Sequence, residues 1–149
     1  MKAKNSVLIM DSFSVLESEC SLIPWSKYAS EERHLNHSVD IDFDVMKHKE
    51  DENKHIILIT LRVNPEKEPG YYACVKGLGA FDIADSSVSK KEKNQLVLFS
   101  GVSICVTQLR SFIANLTSYY PLGKYSFPAI DINDLIKQKK EQLLVKGKE

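Results

Sequence analysis

The sequence predicts one α+β domain over residues 1–149, a four-stranded antiparallel sheet (meander or Greek key) with two helices on one face. Up to residue 83, apolar residues alternate with polar ones or form β-branched runs; after residue 95 they recur at steps of three and four. Strands followed by helices, joined by short polar turns, indicate an antiparallel sheet covered by helices on one side. A hydrophobic content of 43% is enough for a core.

Three antiparallel strands are predicted after an N-terminal region, 1–36, that is irregular apart from one strand beginning at Val7–Met10. Val39–Val45 alternates apolar residues with aspartates, which indicates one buried face and one solvated acidic face. Ile56–Val63 is β-branched and nearly continuous, as expected of a central strand covered on both faces. Tyr71–Ile83 follows a turn rich in proline and glycine and completes the meander.

A polar, lysine-rich loop is predicted over Ala84–Asn94, followed by a long helix over 95–120 and a C-terminal helix over 131–145, capped by Asp131 or Asn133. Apolar side chains spread around most of the long helix, which indicates burial on more than one side. We expect one side to face the sheet and another to face a second subunit. The interface candidates on this helix are Leu98, Val102, Cys105, Leu109 and Phe112.

Charge and composition argue against several classes of protein. The 20 basic and 20 acidic side chains balance, so the basic excess typical of nucleic-acid binding is missing. The first apolar run is too short for a signal segment, and no run suits a membrane span, so we expect a cytoplasmic protein. Cys20, Cys74 and Cys105 are odd in number and far apart, as expected of reduced core thiols.

No motif for catalysis, a cofactor or a metal emerges. Asp40-x-Asp42-x-Asp44 imitates the start of a calcium loop, but Val45 stands where glycine is needed and Asp51 where glutamate is needed. The Gly-Leu-Gly stretch of the last strand lacks the third glycine and the following helix of a dinucleotide site. We therefore expect no enzymatic activity, no cofactor and no bound metal.

Aromatic residues suggest a binding surface. Tyr71 and Tyr72 are adjacent, so on a strand one of them must face away from the core. Trp25 lies in a predicted loop, and Phe127 lies in the extended segment before the last helix. Ordinary packing in the core and at its rim explains these residues too. The functional interpretation is an aromatic-lined groove for extended peptides.

The order of these segments resembles the bacterial export chaperone SecB. Tyr71–Ile83 looks like the family's last strand, which ends in a glycine-containing stretch and Phe-x-Ile, and Leu96–Leu116 looks like its long interface helix. Phe127–Leu135 is similar to the family's Pro-(Val/Ile)-Asn-Phe-Asp-x-Leu/Tyr signature, offset by one residue. Val39–Val45 matches an alternating acidic strand. The order and spacing of these segments, more than any one motif, carry the resemblance.

The resemblance implies an oligomer, a dimer or a dimer of dimers (tetramer), that holds unfolded polypeptides or preproteins without nucleotide and passes them to the translocation ATPase SecA. By position, it makes Trp25, Tyr71 and Phe127 candidates for lining the client groove, and Tyr72 and Cys74 candidates for partner docking.

Several departures from the family's pattern weaken the expectation of SecA docking. The family carries leucine and glutamate at the two docking positions and is acidic overall, whereas this chain is neutral. A SecB-like chaperone dedicated to one client, such as an antitoxin, is therefore an alternative. A domain that binds a small apolar ligand and a structural oligomerisation module are the alternatives from other classes.

Overall fold

Four strands pair antiparallel in the order β1-β4-β3-β2 in the computed structural model, which describes residues 1–24 and 37–147. They are β1 (Leu8–Ile23), β2 (Val39–Lys47), β3 (Lys54–Val63) and β4 (Gly70–Ile83). Short turns join β2, β3 and β4 into the predicted meander. Between β1 and β2 the chain passes from one edge of the sheet to the other.

β1 is much longer than the short strand expected in an otherwise irregular region 1–36, because its sequence pattern is interrupted. The pairing with β4 shifts between Met10 and Ser12 and again between Val15 and Glu17. Each extra residue in a bulge reverses which face the following side chains occupy. Simple alternation therefore fails along this strand although the strand itself is continuous.

One face of the sheet holds the core. In β3, Ile57, Ile59 and Leu61 are fully buried, whereas Ile56 is exposed and Leu58 is half-buried. The expectation that this strand is covered on both faces is therefore wrong within this chain. The continuous apolar run of β3 arises from a buried face and an open face that are both apolar.

The long helix spans Lys90–Thr117 in three parts, α1 (Lys90–Gln95), a π-helical segment (Leu96–Gly101) and α2 (Val102–Thr117). It begins inside the predicted loop because Ser89 and Glu92 form a capping box. The Ser89 hydroxyl accepts a hydrogen bond from the Glu92 N–H at 3.3 Å, and the Glu92 carboxylate accepts one from the Ser89 N–H at 3.4 Å.

The long helix packs on the sheet through the residues that were expected at a subunit interface. Val102, Cys105 and Leu109 are fully buried against this chain's own sheet, and Leu98 and Phe112 are half-buried. The first three therefore cannot contact a second subunit in this structure. The alternating four- and three-residue spacing that identified them marks the face that covers the sheet.

Among the residues that the structure describes, one helix, Lys90–Thr117, is long and apolar enough to cross a membrane by length and composition. In this structure 39% of an apolar 18-residue stretch of this helix is buried inside the protein. Core helices of soluble proteins pass the same test, and the expectation of no membrane span stays a prediction.

Candidate functional site

α3 (Ile132–Lys146) lies along edge strand β2 and leaves a cleft of about 450 Å³ between them. We call it the β2–α3 cleft. α3 begins at a capped end, because the Asp131 carboxylate accepts a hydrogen bond from the Asp134 N–H at 3.1 Å. Apolar side chains that remain half-buried line part of the cleft. They are Val39, Ile41, Ile130 and Leu135.

Polar groups supply the rest of the lining. Eight of its twelve lining residues are polar or charged: Asp40, Asp42, Thr60, Arg62, Asp131, Asp134, Gln138 and Gln142. Its volume lies within the roughly 300–1,000 Å³ typical of ligand sites, and its four apolar side chains lie among these polar groups. Sequence reasoning missed this cleft, because neither β2 nor α3 signals that the two lie side by side.

Lys139 fastens α3 to β2. Its ammonium lies 2.8 Å from Asp42 Oδ1 and 3.1 Å from Asp44 Oδ1, and 5.7 Å from the centre of the Phe43 ring. The hydrogen bond from Lys139 is the main cause that lowers the pKa of Asp42. Burial alone would lower the pKa of Lys139, but the two carboxylates outweigh it and raise that pKa. The acidic face of β2, expected to be merely solvated, is therefore also the anchor of α3.

Three tyrosines meet at the end of the sheet where β4 begins, and we call them the tyrosine cluster: Tyr71, Tyr120 and Tyr125. The Tyr71 ring centre lies 5.9 Å from that of Tyr120 and 6.2 Å from that of Tyr125, both edge-on. Aromatic pairs favour this geometry. The Tyr71 hydroxyl donates to the Gly123 carbonyl at 2.7 Å, and the Tyr120 hydroxyl donates to the Cys20 carbonyl at 2.9 Å. The cluster thereby fastens the segment after α2 to β1 and β4.

The segment that resembles the SecB signature is held against the long helix. Arg110 donates a hydrogen bond to the Pro128 carbonyl at 2.6 Å, and its guanidinium lies 4.9 Å from the centre of the Phe127 ring. Tyr125 donates its backbone N–H to the Thr117 hydroxyl at 2.8 Å. These contacts position Ile130, two residues after Pro128, in the lining of the β2–α3 cleft.

The predicted groove aromatics do not form an open surface here. Tyr71 is 1% exposed and Phe127 is 2% exposed, so both belong to the core, and Trp25 lies outside the described residues. Tyr71 points inward because odd-numbered residues of β4 face the helices, and Tyr72 is the member of the pair that faces outward. A role for these residues in client binding stays a prediction.

The predicted docking residues lie on the open face of the sheet, opposite the helices. Tyr72 and Cys74 are half-buried there, and the Lys67 ammonium lies 4.8 Å from the centre of the Tyr72 ring. Cys74 lines a shallow, largely polar cleft of about 410 Å³ with Arg62, Lys76 and two glutamates of β1. Docking of a partner at these residues stays a prediction.

An apolar patch occupies the other end of this open face, and sequence reasoning missed it. Met46 pairs with Ile56, and Leu58 pairs with Leu78, so the four side chains lie on adjacent strands. Met46 and Ile56 are exposed. The signal was the unbroken apolar run of β3, which could equally have meant a second covering layer.

Two of the three cysteines, Cys20 and Cys105, are unsuited to nucleophilic chemistry. Burial raises the pKa of the Cys105 thiol to about 12 and also raises that of Cys20, so both stay protonated at neutral pH. All three cysteines are free thiols. Within residues 1–24 and 37–147, no three His, Cys, Asp or Glu side chains group in a way that could hold a metal ion.

Comparison with known proteins identifies the fold. No protein-family model and no curated protein sequence matches this chain. Among solved structures, a SecB-like chaperone of Mycobacterium tuberculosis, in complex with a ChAD peptide from the HigA1 antitoxin, matches 83% of this chain and 91% of its own, with a TM-score of 0.56 and 14% identity. A protein of unknown function from Streptococcus agalactiae matches with a TM-score of 0.40 and 12% identity over 83% of this chain and 97% of its own. The first likeness shows that this chain has the predicted α+β fold and that the fold is SecB-like.

Proposed function

We propose that this protein is a SecB-like chaperone, without enzymatic activity, that binds non-native polypeptide segments in the β2–α3 cleft. The cleft carries the proposal, because it combines four half-buried apolar side chains with an edge strand. The SecB-like fold supports the same role, and the structural neighbour from Mycobacterium tuberculosis is itself a chaperone in complex with a peptide.

An extended segment suits the cleft for two physical reasons. β2 is an edge strand, so the backbone groups along its outer side have no strand partner within the described sheet. Extended peptides commonly add to such edges, and pockets for alternate side chains then provide selectivity. Here Ile41, Ile130 and Leu135 can make favourable contacts with any aliphatic or aromatic side chain of a client. Binding should therefore tolerate many client sequences.

Aggregation assays test this function. The parent protein should suppress aggregation of several unrelated unfolded proteins at stoichiometric ratio and without ATP. Leu135→Ser removes an apolar contact in the cleft. Because burial of a leucine is worth about 1.5–3 kcal/mol, client affinity should fall about tenfold or more. Leu144→Ser, on the exposed end of the same helix, is the matched control and should bind like the parent. Equal client binding by both variants would place the site elsewhere.

A chaperone dedicated to one client is the second candidate. The structural neighbour is bound to a peptide from an antitoxin, and Tyr72 and Cys74 replace the leucine and glutamate of the resembled docking face. Suppression of aggregation for one natural client only, such as an antitoxin, would favour this candidate over a general holdase. Thermal stabilisation by one small molecule, without client binding, would instead support the ligand-binding alternative.

Assembly and delivery are part of the proposal. We expect a homo-oligomer, with Leu96 and Phe99 at the contact, since these apolar residues face away from the sheet on the long helix. Delivery to SecA, a tetrameric state and a cytoplasmic location remain predictions. Native mass with and without an unfolded client, and then with purified SecA, separates these possibilities.

A further inference from the structure

A small pocket rich in positive charge lies between the β2–β3 turn and the start of the long helix. Its volume is about 180 Å³. We call it the basic pocket and define it by four lysines and two histidines: Lys47, Lys49, Lys90, Lys93, His48 and His55. One carboxylate, that of Glu52, shares the lining. The pocket is remote in sequence from the β2–α3 cleft residues of α3 and is independent of the proposed function.

Hydrogen bonds hold the walls of the pocket in place. The His48 N–H donates to the Lys54 carbonyl at 3.0 Å, which closes the turn. The Asn53 N–H donates to the Asp51 carboxylate at 2.9 Å. The Lys93 ammonium then donates to the Asn53 side-chain oxygen at 2.8 Å and ties the turn to the helix. These bonds order the turn and hold it against the start of the helix.

Lys93 is the most informative residue of the pocket, because its charge is buried and no carboxylate among the described residues lies within ion-pair distance of it. The residue is 8% exposed, and its hydrogen-bond partner is a neutral amide. Across residues 1–24 and 37–147, none of the four pocket lysines forms an ion pair with a carboxylate. An ammonium has three donors and is costly to bury unpaired. The environment therefore favours an anion beside Lys93.

His55 reports the same positive field. It is buried, and burial is the main cause that lowers its pKa. The Asn53 carbonyl opposes that shift, Lys47 and Lys93 lower the pKa further, and Asp51 raises it. The two lysines thus place positive charge beside His55 that Asp51 only partly offsets.

We propose that the basic pocket binds a small oxyanion of the phosphate class, either free phosphate or the phosphate group of a small monoester. Four lysines and one carboxylate line the pocket, while Glu50 and Asp51 of the same turn lie outside its lining, so the lining itself carries an excess of positive charge. The pocket is smaller than the roughly 300–1,000 Å³ of drug-sized ligand sites, so its size favours a tetrahedral oxyanion over a nucleotide. Ammonium groups form short, strong hydrogen bonds with phosphate oxygens.

Calorimetric titration of the intact protein with inorganic phosphate and with O-phosphoserine tests the proposal, at ionic strength matched with chloride. Saturable binding with a dissociation constant on the order of 1 mM or lower is expected. Tighter binding of O-phosphoserine than of phosphate identifies a monoester site, and the opposite order identifies a free-phosphate site. Absence of saturable binding for both ligands overturns the proposal.

Matched variants separate a site from diffuse attraction. Lys49→Gln combined with Lys90→Gln removes two exposed pocket charges without touching the buried Lys93 and should weaken binding about tenfold or more. Lys137→Gln combined with Lys140→Gln removes the same charge from the exposed side of α3 and should leave binding unchanged. Bound anion should also raise the pKa of His55, measured by NMR of its ring protons. Equal weakening by both double variants would refute a defined pocket.

Discussion

Gly79→Ala probes the contact on which the docking of the long helix depends. Gly79 lies in β4, and a side chain at this position would point toward the long helix. A Cβ atom there would lie 2.7 Å from Cys105 Sγ and 2.8 Å from the Phe81 ring. Cys105 and Phe81 are both buried, so neither can move into solvent. The added methyl must therefore push the helix away from the sheet or force the Phe81 ring to shift.

The size of the effect follows from two opposing contributions. Overpacking of a filled core typically costs about 1–3 kcal/mol. Replacing glycine by alanine restricts the unfolded chain and returns about 0.4–1 kcal/mol. We expect a net loss of about 1–2 kcal/mol, or about 2–8 °C in melting temperature for a chain of this length. Gly147→Ala, whose Cβ would first meet an atom at 3.4 Å, is the control and should not destabilise.

Urea unfolding of four proteins tests the reasoning: parent, Gly79→Ala, Cys105→Ala and the double variant. Cys105→Ala removes the sulfur atom that the new methyl would meet, so the double variant should be more stable than the sum of the two single losses predicts. Residues in contact commonly show such coupling of about 0.5–3 kcal/mol. Additive losses, or a Gly79→Ala protein as stable as the parent, would refute the steric account.

Three further predictions follow from single contacts. Lys139→Gln should lower the free energy of unfolding by about 0.2–1 kcal/mol at neutral pH, since its aspartate partners are mostly exposed. The folded pKa of Asp42 is lowered, so this stabilisation is present above its unfolded pKa of about 3.9 and is lost as the pH falls through the folded pKa. Urea unfolding should therefore show that the free energies of unfolding of the parent and of Lys139→Gln converge in acid. A thiol reagent should modify half-exposed Cys74 in the native protein but Cys105, with a pKa of about 12, only on unfolding, and equal rates by mass spectrometry would contradict its burial. Phe99→Ser should reduce the native mass by disrupting the expected oligomer while leaving the melting temperature nearly unchanged, and an unchanged mass would exclude this contact.

Local patterns predicted the elements whose pattern is uninterrupted. Strict alternation in β2 and the caps of α3 are local signals, and they located both elements closely. The full length of β1 was not predicted, because two bulges reverse its alternation at Asp11 and Leu16. The start of the long helix was predicted too late in the chain, because the lysines around Ser89 and Glu92 suggested a loop. These two residues nevertheless carry the capping-box signature of a helix start.

The candidate sites could not be predicted from the sequence for a different reason, because they depend on which helices and strands lie side by side. Adjacent tyrosines show that one must face outward, but only the packing of helices on the odd-numbered face of β4 decides that this residue is Tyr72. The β2–α3 cleft likewise requires the position of α3, which Lys139 and two aspartates establish across 95 or more residues of sequence. Such contacts between distant segments leave no local pattern.

The net charge of the chain does not describe how its charged side chains are arranged in the fold. The chain has 20 basic and 20 acidic side chains, and that balance argued against a polyanionic partner. The fold groups part of the charge locally, with aspartates along β2 and with four lysines but one carboxylate lining the basic pocket. Screening confines electrostatic attraction to about 10 Å at ordinary ionic strength, so a small anion responds to the local cluster and not to the total. The balance therefore still argues against an extended nucleic acid, which would need a long basic surface, while a phosphate-sized ligand remains compatible with a neutral protein.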